Sequence, residues 1–340
     1  MSASLRNFLI TRLLLTIPMV LILATMVFFV MRVLPGDPIT STVGPRVTEE
    51  QREIFRQQLG LDQPLLVQYF DFVWRMIRLD FGNSMIGGNR PIRDELSEVL
   101  PATIELSVPS MLFASVFGVL SGAYAAQRRK KAADYGLRLF SITIYSVPIF
   151  WLGLMFIIIF SVGLGVTPVA GRIDAQVSLT LERRTNLLIV DSILSGNWAA
   201  LGSVLHHLIL PSLTLGLALC GVFIRLTRVN MIEALQEDYV TAGRARGVPE
   251  RNLTYRHALR NTFIPILTLI GLQFAILLAG AVLTETTFSW AGMGRYLVER
   301  IELRDYAAVQ AVISVFALLV AVITLVMDVL YAFIDPRIRY

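Results

Sequence analysis

Charged residues are scarce in this sequence of 340 residues. Asp, Glu, Lys and Arg make up 16% of the chain, whereas soluble domains carry about 25%. Hydrophobic residues supply 55%, and the mean hydropathy is +0.65. This deficit of charge excludes an ordinary soluble protein and predicts that much of the chain faces hydrocarbon.

Lysine and cysteine are almost absent, and each absence excludes a chemistry. The two lysines, Lys130 and Lys131, do not follow a Gly-x-x-x-x-Gly pattern. A P-loop needs such a lysine on the nucleotide phosphates, so this chain is not a conventional P-loop ATPase. If ATP drives its activity, ATP and Mg would be bound by partner subunits. The single cysteine, Cys220, excludes an internal disulfide and CxxC sites.

Catalytic and metal-binding patterns are also missing. Neither Gly-x-Ser-x-Gly nor His-Glu-x-x-His occurs in the sequence. His206 and His207 are adjacent, and neighbouring side chains on a helix point about 100° apart, which is poor geometry for one metal ion. We therefore predict no catalytic, cofactor-binding or metal site, and a membrane enzyme is a weak alternative.

Long apolar runs recur along the whole chain. Each has roughly the 20 residues that cross a bilayer core of about 30 Å. The first run is longer than the roughly 7–15 apolar residues of a cleavable signal peptide, so it is predicted to be an uncleaved span. We predict an all-α membrane protein with about six transmembrane helices. The predicted spans are about 9–31, 103–126, 137–162, 206–227, 263–284 and 308–334.

Basic residues in short segments predict the orientation of these spans. The connector 128–131 reads Arg-Arg-Lys-Lys, and arginines also flank the first and last spans. Short loops rich in Lys and Arg stay on the cytoplasmic side. Both termini are therefore predicted to be cytoplasmic, with segments 32–100 and 165–205 outside. The net charge of +5 is read as a topology signal, and no nucleic-acid partner is expected.

The two outside segments have different patterns. In 32–100, Thr48 to Gln51 forms a capping box, which predicts a helix running to Gly60. The 165–205 segment is polar at first, and its later part, from Leu187 to Ala200, is compatible with the membrane interface. A second helix of 32–100 is predicted after Pro64, with one apolar stripe of Tyr69, Phe70, Val73, Trp74 and Ile77.

The predicted spans contain few ionisable groups. Glu105, Arg225 and Asp328 lie near span ends, where snorkelling or pairing accounts for them. Coupling ions usually require charged groups at the bilayer midplane, so a secondary transporter is disfavoured without being excluded. The pattern from Gly118 to Gly122 permits close packing between helices.

The inside segment of about 228–262 is charged and helical in pattern. Gly247 interrupts it, and Pro249 suits the first turn of a second helix. Leu235, Tyr239 and Ala242 are predicted to share one stripe. The pattern alone leaves two interpretations open, a solvated connector or a docking element. Small residues surround the turn and would let another surface approach closely: Ala242, Gly243, Ala245 and Gly247.

This inside segment resembles the EAA loop of ABC importer permeases. The similar stretches are 238–247, Asp-Tyr-Val-Thr-Ala-Gly-Arg-Ala-Arg-Gly, and 257–261, His-Ala-Leu-Arg-Asn, followed by Pro265. The second stretch is similar to the dipeptide/oligopeptide/nickel branch of that family. The sequence departs from the family at Thr241-Ala242-Gly243, where Arg-Thr-Ala is more common. The departure keeps small residues at the turn.

Further stretches resemble this branch along nearly the whole chain. Ala291 replaces a proline that is usual in the family. The similar stretches are Leu34–Pro38, Leu59–Pro64, Asp80–Ser84, Pro101–Thr103, Pro148–Gly153, His207–Pro211, Gly271–Gln273, Trp290–Gly294 and Asp335–Arg339.

The resemblance implies the architecture of a type I ABC importer permease and a coupling role for the EAA loop. The implied regions are 1–31 with the first span, the insertion 32–100, and a core permease domain 101–340 that contains the loop and the second insertion. The residues expected to couple to an ATPase are Glu237, Asp238, Tyr239, Ala242, Gly243, Arg244, Ala245, Arg246, Gly247, His257, Arg260 and Asn261.

The resemblance also implies partners and a substrate class. A second homologous permease, two ATP-binding subunits or domains and an extracytoplasmic binding protein would complete the importer in a bacterial inner membrane. The expected cargo is peptides or similar small solutes. Nickel chelates and oligosaccharides remain alternatives within the family, and an ATP-independent secondary transporter remains one outside it.

Overall fold

The chain is mainly helical in the residues that its computed structural model describes, namely 3–33, 50, 53, 57, 62–84, 86 and 90–334. The helices up to residue 234 are α1 (Ala3–Val33), α2 (Leu65–Ile77), α3 (Ile92–Gln127), α4 (Ala132–Ser146), α5 (Ile149–Phe156) with a π-helix (Ile157–Gly163), α6 (Ala175–Ser178), α7 (Leu188–Leu194) and α8 (Trp198–Ala234). Those that follow are α9 (Asp238–Ala245), α10 (Glu250–Asn252) with a π-helix (Leu253–Ala258), α11 (Leu259–Asn261), α12 (Phe263–Gly280), α13 (Val282–Thr287), α14 (Met293–Glu302) and α15 (Tyr306–Ile334).

Four helices are long and apolar enough to cross a membrane, and two bent pairs raise the number to six if each pair is one span. The predicted all-α membrane fold is confirmed. The four are at Ile10–Val30, Ile92–Gln127, Trp198–Ala234 and Tyr306–Tyr331. The bent pairs are Ala132–Ser146 with Ile149–Gly163 and Glu250–Asn261 with Phe263–Leu278.

The predicted third span, 137–162, was wrong as a single helix. It bends by 100° between α4 and α5. Val147 at the break is extended, with φ −80° and ψ 127°. The ring of Pro148 disfavours a helical conformation in the residue before it, so α4 ends there. Hydropathy continues unchanged across the break, which is why the apolar run suggested one helix.

Three other boundaries differ from those predicted. Helix α3 begins at Ile92, within the segment assigned to the first insertion, and carries the second span without interruption. Helix α8 begins at Trp198 instead of 206, because the side chain of Asn197 accepts a hydrogen bond from the Ala200 N–H. The fifth span, predicted at 263–284, ends as α12 at Gly280.

The packing of α3 against α8 forms the centre of the fold. A Cβ atom on Gly118 would lie 2.4 Å from the Cβ of Phe223, and one on Gly122 would lie 2.7 Å from the carbonyl oxygen of Ile224. Phe223 and Ile224 are fully buried. The predicted close contact at the small-residue pattern is confirmed, since larger side chains would separate the two helices.

Helix α2 packs on the first span through aromatic side chains. The hydroxyls of Thr25 and Tyr69 are 2.7 Å apart, and the ring of Phe28 contacts the rings of Tyr69 and Phe72. The predicted helix after Pro64 is confirmed, and three residues of its predicted stripe, Phe70, Trp74 and Ile77, are exposed in this chain. The side of α2 that packs against the protein is formed by Tyr69, Phe72, Val73 and Met76. The predicted capping box and helix to Gly60 lie largely outside the described residues.

Candidate coupling surface and charged clusters

Helix α9 is a short helix held between two membrane-spanning segments. Helix α8 ends at Ala234, and α9 begins at Asp238 after a turn. This turn changes the helical register, so the predicted stripe through Ala242 was wrong. Ala242 is exposed, whereas Val240 and Gly243 are buried. The buried residues of α9, Val240 and Gly243, each follow by one position the residues Tyr239 and Ala242 of the predicted stripe.

The end of α9 is a Schellman turn centred on Gly247. The N–H of Val248 donates to the Gly243 carbonyl at 3.1 Å, and the N–H of Gly247 donates to the Arg244 carbonyl at 2.9 Å. Gly247 has φ +77°, the left-handed conformation that glycine adopts without a steric penalty. Pro249 then precedes α10. The predicted sequence of helix, sharp turn and helix is confirmed.

The small residues of this hairpin divide into two groups. Gly243 faces inward, where an added Cβ would lie 2.6 Å from Cδ2 of the buried Leu253. That close approach lets α9 pack directly on the π-helix that follows α10. Ala242, Ala245 and Gly247 face outward, and a Cβ on Gly247 would meet no atom within 4 Å. The outward group leaves a low, accessible surface.

Charged side chains surround this low surface. Arg244 forms an ion pair with Glu250 on α10, with Nε 2.6 Å from Oε1. The hydrogen bond to Glu250 raises the pKa of Arg244. Ten of the twelve predicted coupling residues are exposed; the two exceptions are Tyr239, which is half-buried, and Gly243.

The second part of the predicted site lies on the returning leg of the hairpin. His257 belongs to the π-helix, and Arg260 and Asn261 belong to α11. Within the described part of the chain, no side-chain hydrogen bond or ion pair joins these three residues to α9. The hydroxyl of Tyr239 is buried and has no hydrogen-bond partner among the described residues. The structure thus brings 237–247 into one compact unit, which packs on the π-helix through Gly243 and Leu253 but makes no described polar contact with the other three residues.

A buried ion pair that sequence reasoning missed anchors the C-terminal part of α8. Arg228 binds Asp134 through Nε at 2.5 Å and Nη2 at 2.8 Å. Asp134 also accepts the N–H of Lys130 at 3.0 Å. The sequence did contain a signal, because Asp134 is the one acidic residue beside the basic connector 128–131. We used this connector only to predict the membrane topology. The pair joins the connector 128–131 to the helix that leads into α9.

A second buried cluster lies at the other end of α3. Glu105 binds Arg172 at 2.6 Å and accepts the N–H of Ile189 at 2.7 Å. Burial lowers the pKa of Arg172, against the opposing effect of Glu105. Nearby, Thr103 donates to Glu285 at 2.7 Å. The contacts of Glu105 hold the 165–197 segment on α3, and pairing explains Glu105 as predicted. The bond between Thr103 and Glu285 joins α3 to α13.

The other two charges near span ends have different environments. Asp328 lies 3.3 Å from Arg12, so pairing explains it as well. Arg225 is exposed, and no hydrogen bond or ion pair to it occurs among the described residues. Of the two explanations expected for these charges, pairing therefore does not apply to Arg225 among the described residues, and snorkelling remains.

Comparison with known proteins gives the family. The model of the binding-protein-dependent transport system inner membrane component matches residues 118–340, and a second model, of the N-terminal part of such membrane components, matches residues 5–106. The chain belongs to this family. It is an ABC importer permease, a multi-pass inner membrane protein and a transport subunit rather than an enzyme.

Relatives named as permease proteins align with this permease over nearly its whole length. It is 42% identical to a di/tripeptide transport system permease protein of Pseudomonas aeruginosa over 335 residues, which are 98% of this chain and 99% of the relative. It is 39% identical to glutathione transport system permease proteins of Escherichia coli and Salmonella choleraesuis, each over 334 residues, 98% of this chain and 99% of the relative. Membership of the family implies ATPase and binding-protein partners in general terms.

Proposed function

We propose that this permease forms half of the translocation pathway for small peptides and that α9 couples it to a separate ATPase subunit. The exposed surface of α9, with its small outward residues and Schellman turn, carries this proposal. The relatives named for di/tripeptides and glutathione support a peptide cargo. The sequence has no P-loop lysine of its own, which supports ATP hydrolysis on a partner.

The hairpin has the mechanical properties that coupling requires. Gly243 packs against Leu253, so α9 cannot move without the returning leg. Arg228, ten residues before α9, is fixed to Asp134 on α4. A force on α9 would therefore reach both adjoining spans as a rigid-body displacement. ATP binding on the partner would bias two conformations by its different affinity for each.

The remaining partners follow from the same arrangement. A second homologous permease would complete the pathway, and an extracytoplasmic binding protein would deliver the peptide. The insertion 165–197 is held by Arg172 against α3 and offers a fixed surface for that delivery. We propose cytoplasmic termini, which puts α9 on the side where ATP is available and this insertion on the other.

The test replaces the turn glycine in the assembled importer. Gly247→Leu should reduce co-purification of the ATPase or uncouple peptide uptake from ATP hydrolysis. A non-glycine residue at positive φ costs about 1 kcal/mol, and leucine would stand out from the low surface. Gly196→Leu is the matched control, because Gly196 also has positive φ (+65°) and open space around it but lies between α7 and α8.

The outcomes separate the proposal from general damage. We expect Gly196→Leu to keep ATPase association, and Gly247→Asn to be milder than Gly247→Leu because asparagine tolerates the left-handed region. Normal assembly and wild-type peptide uptake in Gly247→Leu would exclude α9 as the coupling element. Uptake of nickel chelates or oligosaccharides in place of peptides would exclude the peptide cargo.

A further inference from the structure

An open cavity with a mixed polar and apolar lining lies between α4 and α8, on the α4 side of the break that divides the third span. Its volume is about 140 Å³, and one water needs only about 10–15 Å³ in the same measure. The cavity therefore has room for a carboxylate with a hydration shell. Its polar lining comes from Ser141, Tyr145 and Ser146 on α4 and from Arg225 on α8.

The guanidinium of Arg225 is the unusual member of this lining. The neighbouring Arg228 is bound to Asp134, but Arg225 has no hydrogen bond or ion pair within the described ranges. It lies three residues further into the span than Arg228, or about 4.5 Å along the helix. An unpaired charge near the end of a span either snorkels to the interface or faces a water-filled cavity, as charges on substrate and ion pathways usually do.

The backbone around the cavity also fits a pathway. Helix α4 ends at Ser146, and the extended Val147 follows it. Broken backbone within a span is tolerated where it lines a cavity or is buried in protein. On the facing helix, a Cβ on Gly221 would lie 2.8 Å from the Ser141 carbonyl oxygen. That contact fixes the distance between α4 and α8 beside the cavity.

We propose that this cavity is a substrate subsite in which Arg225 binds the C-terminal carboxylate of a passing peptide. The inference rests on the proposed peptide cargo. A guanidinium matches a carboxylate with two parallel N–H donors, and the hydroxyl of Tyr145 lines the same cavity as a further donor. The open position of Arg225 keeps its charge hydrated, so the peptide is held weakly enough to leave.

The test measures the electrostatic field and the occupancy of the cavity in the complete importer. In a Cys220→Ser background, Ser146→Cys is labelled with an anionic and with a cationic methanethiosulfonate of similar size. We expect the anionic reagent to react about tenfold faster than the cationic one, because a charged cleft concentrates counter-ions. Arg225→Gln should remove most of this preference.

Arg138→Gln is the matched control, since it removes the same charge from α4 at a residue that does not line the cavity. A peptide with a free C-terminus, but not its amide, should slow labelling in the parent and not in Arg225→Gln. Arg225→Lys should retain partial protection.

Each other outcome overturns the inference. A cysteine at 146 that neither reagent reaches would mean that this face is covered by lipid or by the partner permease. Equal rates for the two reagents, or equal protection by peptide and amide, would mean a snorkelling arginine that does not read the carboxylate. Peptide uptake is measured in the same vesicles. Normal uptake with failed protection rejects the subsite alone, whereas absent peptide uptake in the parent rejects the proposed cargo.

Discussion

Arg228 on α8 donates two hydrogen bonds to Asp134 on α4. Among the described residues, this is the ion pair that joins the two helices. The side chain of Asp134 is 2% exposed and that of Arg228 is 17% exposed. The pair lies between the candidate subsite at Arg225 and the hairpin at α9. Any movement passed from α9 to the subsite would travel through the helix that this pair anchors.

Asp134→Ala should destabilise the assembled importer by about 3 kcal/mol, because removing one partner leaves a poorly solvated charge. Thermal unfolding in detergent would measure the loss. The matched control is Asp71→Ala, which breaks the pair of Asp71 with Arg75. That carboxylate is 54% exposed, so we expect a change of less than about 1 kcal/mol. Equal effects from the two substitutions would contradict a structural role for the buried pair.

Gly243→Ala should destabilise the hairpin by about 1–3 kcal/mol, since the new methyl group would crowd Leu253. The double variant with Leu253→Ala should cost less than the sum of the two single changes, because the methyl group occupies vacated space. Thermal unfolding and ATPase co-purification would both report this coupling. Gly136→Ala is the control, as a Cβ there meets no atom within 4 Å, and it should be neutral or stabilising. Strict additivity would argue against the packing described.

Arg172→Ala should loosen the 165–197 insertion. Glu105 would still accept the hydrogen bond from the Ile189 N–H, but it would lose its ion pair. We expect faster tryptic cleavage at the exposed Arg183 and Arg184 when protease is added from outside. Arg90→Ala provides the comparison, since its pair with Glu98 is exposed on both sides. Unchanged cleavage in Arg172→Ala would show that other contacts hold the insertion.

Lys130→Cys, in a Cys220→Ser background, should resist impermeant thiol reagents on intact cells and react after the membrane is opened. The short basic connector is expected on the cytoplasmic side. A cysteine at Leu179, which is highly exposed on the insertion, should react in intact cells. Ready labelling at 130 with protection at 179 would invert the topology and put α9 on the wrong side for ATP.

Several features of this permease followed from the sequence, and others did not. The spans, the close contact at Gly118 and the turn at Gly247 were predicted because each depends on local composition or on one residue type. The coupling roles of 237–247 stay predictions. Ala242 was misplaced because the turn between α8 and α9 changes the helical register, and a period counted across the turn does not show that change.

The sequence by itself determined the membrane class, the number of apolar runs and the helical hairpin, since hydrophobic length and glycine geometry act within a few residues of the chain. Only the tertiary structure decided that Arg228 meets Asp134, that Arg172 meets Glu105, and that Arg225 is left facing a cavity. These relationships join residues far apart in the chain. Helix rotation and packing distance set them, and a single sequence does not record either quantity.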